Sequence, residues 1–265
     1  MKARFLVALI LGLLGVGVPL AAVKSHGMPW GFRDRTAVVL HTAGAVELFS
    51  SGAEGASPSA RQAAAGVGLH PKDELRVGVL SMATLRFPTA DVDLHDGARV
   101  TVDEGRVELA RGSLAVVVGS GALTLSSEPF SFRATLTPGR YRALSDGRDL
   151  LSVVVLDGRI DVENGDAARA GDLLLVERGG KVTRGAPPAP PTCAVGCRVL
   201  GPGNAIAEGE LPRHAMGWMN GTFVFGDARS KFSAPLALEG DVGSVVLFVR
   251  DVVGNTCKAD ARCAP

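Results

Sequence analysis

The chain has 265 residues, more than the usual domain size of about 100 to 150, so two domains are expected. Its 28 Lys and Arg residues balance 27 Asp and Glu residues, which argues against binding to nucleic acid or to an anionic membrane surface through net charge. With 34 Gly, two Trp and one Tyr, the composition favours short strands and tight turns.

The first element is an apolar run over residues 5–23 that follows Lys2 and Arg4. A helix of this length would reach about 28 Å, enough to cross a bilayer. The basic residues before the run predict export of the chain that follows. A cleaved signal peptide and an uncleaved membrane anchor over residues 1–23 both fit this pattern. After a connector at residues 24–35, the remainder is therefore expected outside the cytoplasm, in the periplasm or cell envelope.

Residues 36–183 have the alternating pattern of a β protein. A predicted strand over 36–49 and a loop over 50–65 precede a stretch, 73–109, in which apolar and polar side chains alternate. One face is predicted to be buried and comprises Ala83, Leu85, Phe87, Ala98, Val100, Val102, Val107 and Leu109. The other face is predicted to point outward and comprises Arg86, Arg99, Thr101, Asp103, Arg106 and Glu108. This pattern predicts an all-β domain, either a sandwich or an irregular β-solenoid.

Short turn signals separate the predicted strands of this domain. They are Asp96-Gly97, Glu104-Gly105, Arg111-Gly112, Pro138-Gly139, Asp146-Gly147, Asp157-Gly158 and Asn164-Gly165. The runs between them are rich in Val, Leu and Phe without a helical period, and lie at 114–118, 122–125, 130–136, 151–156, 159–162 and 172–177. Helix is therefore expected to be nearly absent from this part of the chain.

Proline and alanine dominate residues 184–192, which predicts an extended linker between two domains. Beyond the linker, residues 193–265 suit a small β-sandwich. Its strand-like runs lie at 221–225, 232–238 and 242–249.

All four cysteines lie in this last third of the chain: Cys193, Cys197, Cys257 and Cys263. Export would place them where disulfides persist, so two disulfide bonds are predicted. Spacing does not choose among the three possible pairings. We favour bonds that join the two close pairs, because these would tie the start of the domain to its end. A zinc site is the alternative, although the second Cys-x5-Cys spacing departs from common zinc motifs.

Asp91, Asp93 and His95 occupy alternate positions, so on a strand they would share one face and could approach a metal ion. No further ligand is predicted nearby, which favours a solvated strand face instead. Trp30 and Trp218 are candidate contact residues. Trp30 lies close to the apolar segment and suits a membrane interface, so Trp218 is the candidate for a protein interface, with core packing as its alternative.

Signals for catalysis are weak throughout the chain. The histidines His26, His41, His70, His95 and His214 are scattered without a local signature. Residues 119–121, Gly-Ser-Gly, lack the spacing of a nucleophile elbow, and residues 66–74 lack the spacing of a phosphate-binding loop. No catalytic, cofactor-binding or metal-binding residue is therefore predicted, and we expect a protein that is not an enzyme.

Residues 36–183 resemble the FecR-type domain. The resemblance rests on Asp73 and Leu75, on Ser81, Ala83, Leu85 and Phe87, on Asp96-Gly97, on Gly105, Val107, Leu109 and Gly112, and on a closing segment over 153–172. A Gly-Thr-x-Phe element that is common in the family is replaced here by Pro138-Gly139-Arg140-Tyr141. The resemblance implies an exported β domain. Because only four residues precede Phe5, we do not expect the cytoplasmic arm through which some family members control sigma factors.

Residues 193–265 resemble the small Ig-like modules of bacterial surface proteins. The resemblance rests on Asn220-Gly221, Phe223 and residues 232–238, 245–249 and 251–255. The sequence thus predicts a FecR-like domain, at 36–183, followed by an Ig-like module stabilised by disulfides.

The resulting functional prediction is a non-catalytic, extracytoplasmic protein that binds or scaffolds an envelope protein or a cell-wall polymer. One alternative is an envelope signalling component that senses a ligand through the FecR-like domain. Another is a secreted hydrolase that uses His41, His70 or His95. No cofactor and no nucleic acid partner are expected, and residues 5–23 would contact the membrane if they are not cleaved.

Overall fold

The computed structural model describes residues 35–50, 59–163, 165–212, 214–220, 222–226, 230–237 and 243–263. These residues form β-strands and one 3-10 turn, Glu128–Phe130, with no α-helix among them, which confirms the all-β prediction. None of the described residues belongs to a helix with the length and apolarity needed to cross a bilayer. The predicted signal or anchor segment at 1–23 lies outside the described residues, as do His26, Trp30 and nearly all of the connector at 24–35.

Sixteen strands of the described chain belong to one hydrogen-bonded sheet, here called the N-terminal β region. Their bounds are β1 Ala37–Ala43, β2 Val46–Ser50, β3 Ser59–Gln62, β4 Gly68–Leu69, β5 Glu74–Val77, β6 Met82–Arg86, β7 Ala90–Asp103, β8 Arg106–Val118, β9 Leu123–Ser127, β10 Phe132–Leu136, β11 Gly139–Ser145, β12 Leu150–Asp157, β13 Arg159–Val162, β14 Ala168–Arg169, β15 Leu173–Glu177 and β16 Val182–Gly185. The main path runs β14-β13-β10-β9-β8-β11-β12-β15-β16, and β1 to β7 branch from it.

The two longest strands, β7 and β8, form the centre of this sheet. The first half of β7 pairs with β6 and its second half with β5, so β7 joins two branches. Likewise β8 begins in parallel with β9 and continues in antiparallel with β11. The apolar face predicted from the alternation is buried along its whole length, and the predicted outward face contains no buried side chain, as expected for period-two patterning.

Two of the predicted turns are wrong, because the chain bends there without reversing. Asp96 and Gly97 lie inside β7, and Arg111 and Gly112 lie inside β8. Asp96, Gly97 and Gly112 have φ values of +35°, +71° and +92°, and the β7 to β8 register shifts at this level. A positive φ allows a strand to bulge and bend, so the same Asp-Gly signal can mark a bulge in place of a hairpin.

Other predicted turns do lie between strands. Residues 104–105 and 146–147 connect consecutive antiparallel strands, as predicted, and residue 158 lies between two consecutive strands, β12 and β13, that pair with other strands. The predicted loop over 50–65 is wrong in part, because β3 lies within it and pairs with β2. Strand β16 extends to Gly185, two residues into the predicted linker, and the next strand begins at Ala194.

The C-terminal β region contains seven strands in the described residues. They are β17 Ala194–Gly201, β18 Asn204–Glu210, β19 Ala215–Met219, β20 Thr222–Phe225, β21 Lys231–Ala237, β22 Ser244–Asp251 and β23 Thr256–Arg262. One sheet has the order β17-β18-β21 and the other β20-β19-β22-β23. Apolar side chains from both sheets, including Phe232 and Leu247, form one buried cluster, so the two sheets pack as a sandwich.

Two disulfide bonds connect the first and last strands of this sandwich. Cys193 is bonded to Cys257 and Cys197 to Cys263, which confirms the prediction of two bonds and its favoured pairing. The four thiols are all used in these bonds, so the alternative of a zinc site at the cysteines is wrong. Each bond joins β17, or the residue before it, to β23, or the residue after it, and thereby ties one sheet to the other.

Candidate functional site

The two β regions pack against each other through an apolar cluster. Leu144, Val154 and Leu173 of the N-terminal region meet Met216 and Val252 of the C-terminal region, and all five side chains are buried. Because Met216 and Val252 face outward from their own sandwich core, they are available for this second contact. Burial of these five side chains fixes one region against the other.

An ion pair lies beside this cluster. The Nη1 atom of Arg250 is 2.8 Å from Oδ2 of Asp96, the residue at the bulge of β7, and the Asp96 side chain is only 7% exposed. That oxygen accepts no hydrogen bond from any described residue, so the contact is electrostatic. Burial raises the pKa of Asp96, and the charges of Arg250 and His95 partly offset this effect. The buried carboxylate therefore depends on the C-terminal region for its charge compensation.

We expect Arg250→Gln to lower the free energy of unfolding by about 2 kcal/mol, because it leaves Asp96 buried without its partner. The double variant Asp96→Asn/Arg250→Gln should recover most of this loss, since asparagine tolerates a positive φ. Urea unfolding measures both effects. Arg133→Gln is the control, because the Arg133 to Glu163 pair is half exposed and should contribute below about 1 kcal/mol. An equal loss in Arg250→Gln and in the control would contradict the buried ion pair.

A cleft of about 790 Å³ opens where the two regions meet. One wall consists of β5, β7, β8 and the turn between β11 and β12, and the other consists of β20 and β21. The first wall carries four exposed arginines, which are Arg76, Arg99, Arg111 and Arg148. The second wall contributes apolar and hydroxyl groups such as Phe223 and Ser233. The cleft thus combines an exposed cationic wall with a mixed apolar and polar wall.

Close packing of the two regions at the cleft depends on a glycine. Gly97, at the bulge of β7, lies against the tip of the Phe223 ring, and a Cβ atom at this position would be 3.0 Å or less from the Cε1, Cζ and Cε2 atoms. The guanidinium of Arg111 also lies near Phe223, with its central carbon 5.7 Å from the ring centroid. The tip of the Phe223 ring therefore contacts the backbone of β7, and the ring lies near a cationic side chain of β8 while staying half-buried.

The structure places Asp91, Asp93 and His95 at alternate positions of β7, as predicted, but both carboxylates have hydrogen-bond partners. Asp91 forms two hydrogen bonds with the guanidinium of Arg86, at 2.8 and 3.0 Å. Asp93 accepts a hydrogen bond of 2.7 Å from the Thr84 hydroxyl. Within the described residues, no group of three His, Cys, Asp or Glu side chains is close enough to hold a metal ion. These contacts favour the interpretation of the face as structural.

His95 lies in the contact between the two regions. Burial and the charge of Arg250 lower its pKa below the ordinary value of 6.5, with a further contribution from Arg142, and the carboxylates of Asp93 and Asp96 oppose this effect. Burial also lowers the pKa of His214. Folding therefore favours the neutral form of both imidazoles.

Acidification from pH 8 to pH 5.5 is expected to destabilise the protein. The unfolded chain takes up protons near pH 6.5, whereas folded His95 and His214 take them up only at lower pH, so stability is fully present above this pH and declines below it. The slope approaches about 1.4 kcal/mol per pH unit for each proton bound only by the unfolded state. Urea unfolding across this range should show a shallower decline in His95→Gln than in wild type. Equal slopes would contradict the assignment to His95.

The histidines proposed for the alternative hydrolase lie on different elements of the described structure. His41 and His70 are exposed, on β1 and just after β4, and His95 is half-buried on β7. Among the described residues, no histidine side chain forms a hydrogen bond with a serine hydroxyl or a carboxylate. Ser120, of the Gly-Ser-Gly sequence, lies in the exposed turn before β9.

Trp218 lies on β19, on the side of the sandwich that carries Arg250. Its ring stacks on Phe248 with centroids 5.9 Å apart, and the guanidinium of Arg250 lies 5.9 Å from the ring centroid. The side chain is 7% exposed, and Nε1 finds no hydrogen-bond partner among the described residues. A contact between Trp218 and another molecule stays a prediction.

The four cleft arginines were not identified as site residues from the sequence. The alternation correctly placed Arg99 on the outward face of β7, but nothing in the sequence states which arginines on other strands lie beside it. Arg76 and Arg111 become its neighbours only through strand register, and the sequence at the bulges that set this register predicts turns. A cluster of outward arginines near Gly signals is the one clue that the sequence contained.

No model of a known protein family matches the chain, and no curated protein matches it. Among solved structures, a polysaccharide lyase has 10% sequence identity and a TM-score of 0.21, over 90% of this chain and 41% of the lyase chain. The chain therefore spans less than half the length of that lyase. A similarity at this level carries no argument about fold or function.

Proposed function

We propose that this chain is a non-catalytic, extracytoplasmic FecR-like protein that binds a partner in the bacterial envelope, with the cleft between its two β regions as the binding site. The observation that carries the proposal is the cationic wall of this cleft. The walls are held together by a buried apolar cluster and the Asp96 to Arg250 ion pair, so the site is formed before a partner arrives. Preformed clefts between packed units are common sites of ligand binding.

The location rests on the two disulfide bonds, which indicate an oxidising, extracytoplasmic compartment. We infer that residues 1–23 direct the chain there, as a signal peptide or as a membrane anchor. The Ig-like C-terminal region then serves as the second wall of the site, and the FecR-like region carries the charged wall. Neither region alone would form the cleft.

The test is saturable retention of the full chain, carrying an affinity tag, on the isolated envelope fraction of its source bacterium. We expect retention to reach a plateau, and we expect the heat-unfolded chain not to be retained. Mass spectrometry should show that the envelope material is chemically unchanged. Shortened or modified envelope polymer, produced in molar excess over the protein, would instead identify an enzyme. Absence of saturable retention would overturn the proposal.

A further inference from the structure

Three of the cleft arginines form a row across neighbouring strands. Arg76 on β5 lies directly opposite Arg99 on β7, and Arg99 lies directly opposite Arg111 on β8. Residues in such pairs share one face of the sheet, and neighbouring strands are about 4.8 Å apart, so the three side chains leave the sheet side by side. Like charges directly opposite each other destabilise a sheet. A row of three is therefore an arrangement that folding alone does not favour.

A fourth arginine extends the row. Arg148 lies in the turn between β11 and β12, whose conformation is set by Asp146, because its Oδ1 atom accepts hydrogen bonds from the backbone N–H groups of Arg148, Asp149 and Leu150 at 2.8, 2.9 and 3.1 Å. Gly147 brings this turn against Arg111, since a Cβ at Gly147 would lie 3.2 Å from the Cβ of Arg111. The carboxylate of Asp146 is thus used to build the turn.

The positive charge of the row is only partly compensated. Glu74 accepts hydrogen bonds from Arg76 and Arg99, at 2.5 and 2.9 Å. Although burial raises the pKa of Glu74, the hydrogen bonds from Arg99 and Arg76 bring it below its ordinary value, so this carboxylate stays ionised. Among the described residues, no carboxylate lies within ion-pair distance of Arg111 or Arg148. One carboxylate therefore serves two arginines, and the other two are available to an anion.

The opposite wall narrows the class of ligand. Strand β20 and strand β21 are both edge strands of their sheets. Pro235 lies in β21, and β20 is only four residues long, so neither edge offers a continuous ladder to a peptide that would add a strand. The wall offers instead the half-buried ring of Phe223 and the exposed hydroxyls of Thr222 and Ser233. These groups suit a ligand with apolar ring faces and many hydroxyl groups.

We propose that the cleft binds an acidic glycan, whose carboxylates pair with Arg111 and Arg148 and whose sugar rings pack on Phe223. The proposal rests on the proposed function, because it names the ligand class of the same cleft. Guanidinium groups pair with carboxylates through two parallel hydrogen bonds, which gives both affinity and orientation. A row of guanidinium groups at strand spacing matches an anion that repeats along an extended polymer.

The test is isothermal titration calorimetry at low salt, which measures binding of a tetramer of galacturonic acid to the full chain. We expect saturable binding that Arg111→Gln/Arg148→Gln weakens by about tenfold or more, because two charge-assisted pairs are lost. The matched control is Arg140→Gln/Arg178→Gln, which replaces one exposed strand arginine and one exposed turn arginine outside the cleft and should leave binding unchanged. The methyl ester of the tetramer has the same rings without the charge and should not bind.

Several outcomes would overturn the proposal. If the methyl ester bound as tightly as the acid, charge would not contribute to binding. If the two double variants lost affinity equally, the cleft would not be the binding site. Tighter binding of a hexaglutamate peptide than of the tetramer would identify an acidic peptide as the ligand. Saturable retention on the envelope without binding of the tetramer would overturn the glycan while leaving the proposed function intact.

Discussion

Replacing all four cysteines by serine is expected to lower the free energy of unfolding of the C-terminal β region by about 7 kcal/mol. The bonds close loops with sequence separations of 64 and 66 residues that overlap almost completely. The first bond restricts the unfolded chain by about 4 kcal/mol. With it in place, the second closes only a short loop of about ten residues and adds about 3 kcal/mol. Removal of either bond alone should therefore cost only the smaller amount.

Urea unfolding followed by far-UV circular dichroism measures these differences. The pairs Cys193→Ser/Cys257→Ser and Cys197→Ser/Cys263→Ser each remove one bond, and alanine versions control for the hydroxyl that serine places at the buried Cys263 position. Reduction of the wild-type chain should reproduce the fourfold variant. If each single-bond variant lost as much stability as the fourfold variant, the two bonds would act as one unit and the loop argument would be wrong.

Gly112→Ala is expected to destabilise the N-terminal β region by about 4 kcal/mol. Gly112 has a φ of +92°, which an alanine adopts only with strain. In addition, its new Cβ would lie 2.7 Å or less from the backbone of Gly97 and Ala98, in the bulge of the neighbouring strand. Backbone cannot rotate away as a side chain can, so β7 and β8 would have to separate. Because Arg111 precedes Gly112, the arginine row should be displaced as well.

Gly179→Ala is the matched control for this experiment. Gly179 has nearly the same φ, +94°, but a Cβ there would meet no atom within 4 Å. Gly179→Ala should therefore lose only the stability that backbone strain costs, about 1 to 2 kcal/mol. The difference in stability between the two variants then measures the cost of the collision between strands. Thermal or urea unfolding measures both. Equal losses of stability in the two variants would show that separating β7 and β8 at Gly112 has no energetic cost, and would contradict the prediction.

Much of the fold was predictable because burial in a sheet is periodic. Every residue assigned to the inner face of 73–109 is buried, from Ala83 to Leu109, since alternate residues of a strand face opposite sides whatever the strand pairs with. The strands β20, β21 and β22 were also predicted close to their observed bounds. Strands β17 and β18 were missed, because glycine and alanine at 194–210 give little hydrophobic contrast between the two faces.

The cleft was beyond prediction for a specific reason. An Asp-Gly pair supplies positive φ, and both a hairpin turn and a strand bulge use it. The interpretation of Asp96-Gly97 as a turn would have ended the strand and moved Arg99 away from Arg111. The choice between a turn and a bulge depends on whether the residues on both sides find partner strands. Those partners are β5 and β6, which lie up to 27 residues earlier in the chain, and no local pattern indicates their register.

Three properties of this protein can be predicted from its residues alone: the β-strand composition, the identity of the side chains that face inward along β7 and β8, and the formation of two disulfide bonds. These properties follow from local patterning and residue chemistry. In contrast, the folded chain was needed to see that one wall carries Arg76, Arg99, Arg111 and Arg148, and that Arg250 pairs with Asp96. The physical reason is that register and the packing of one sheet on another are set by contacts between distant segments, which no local pattern contains.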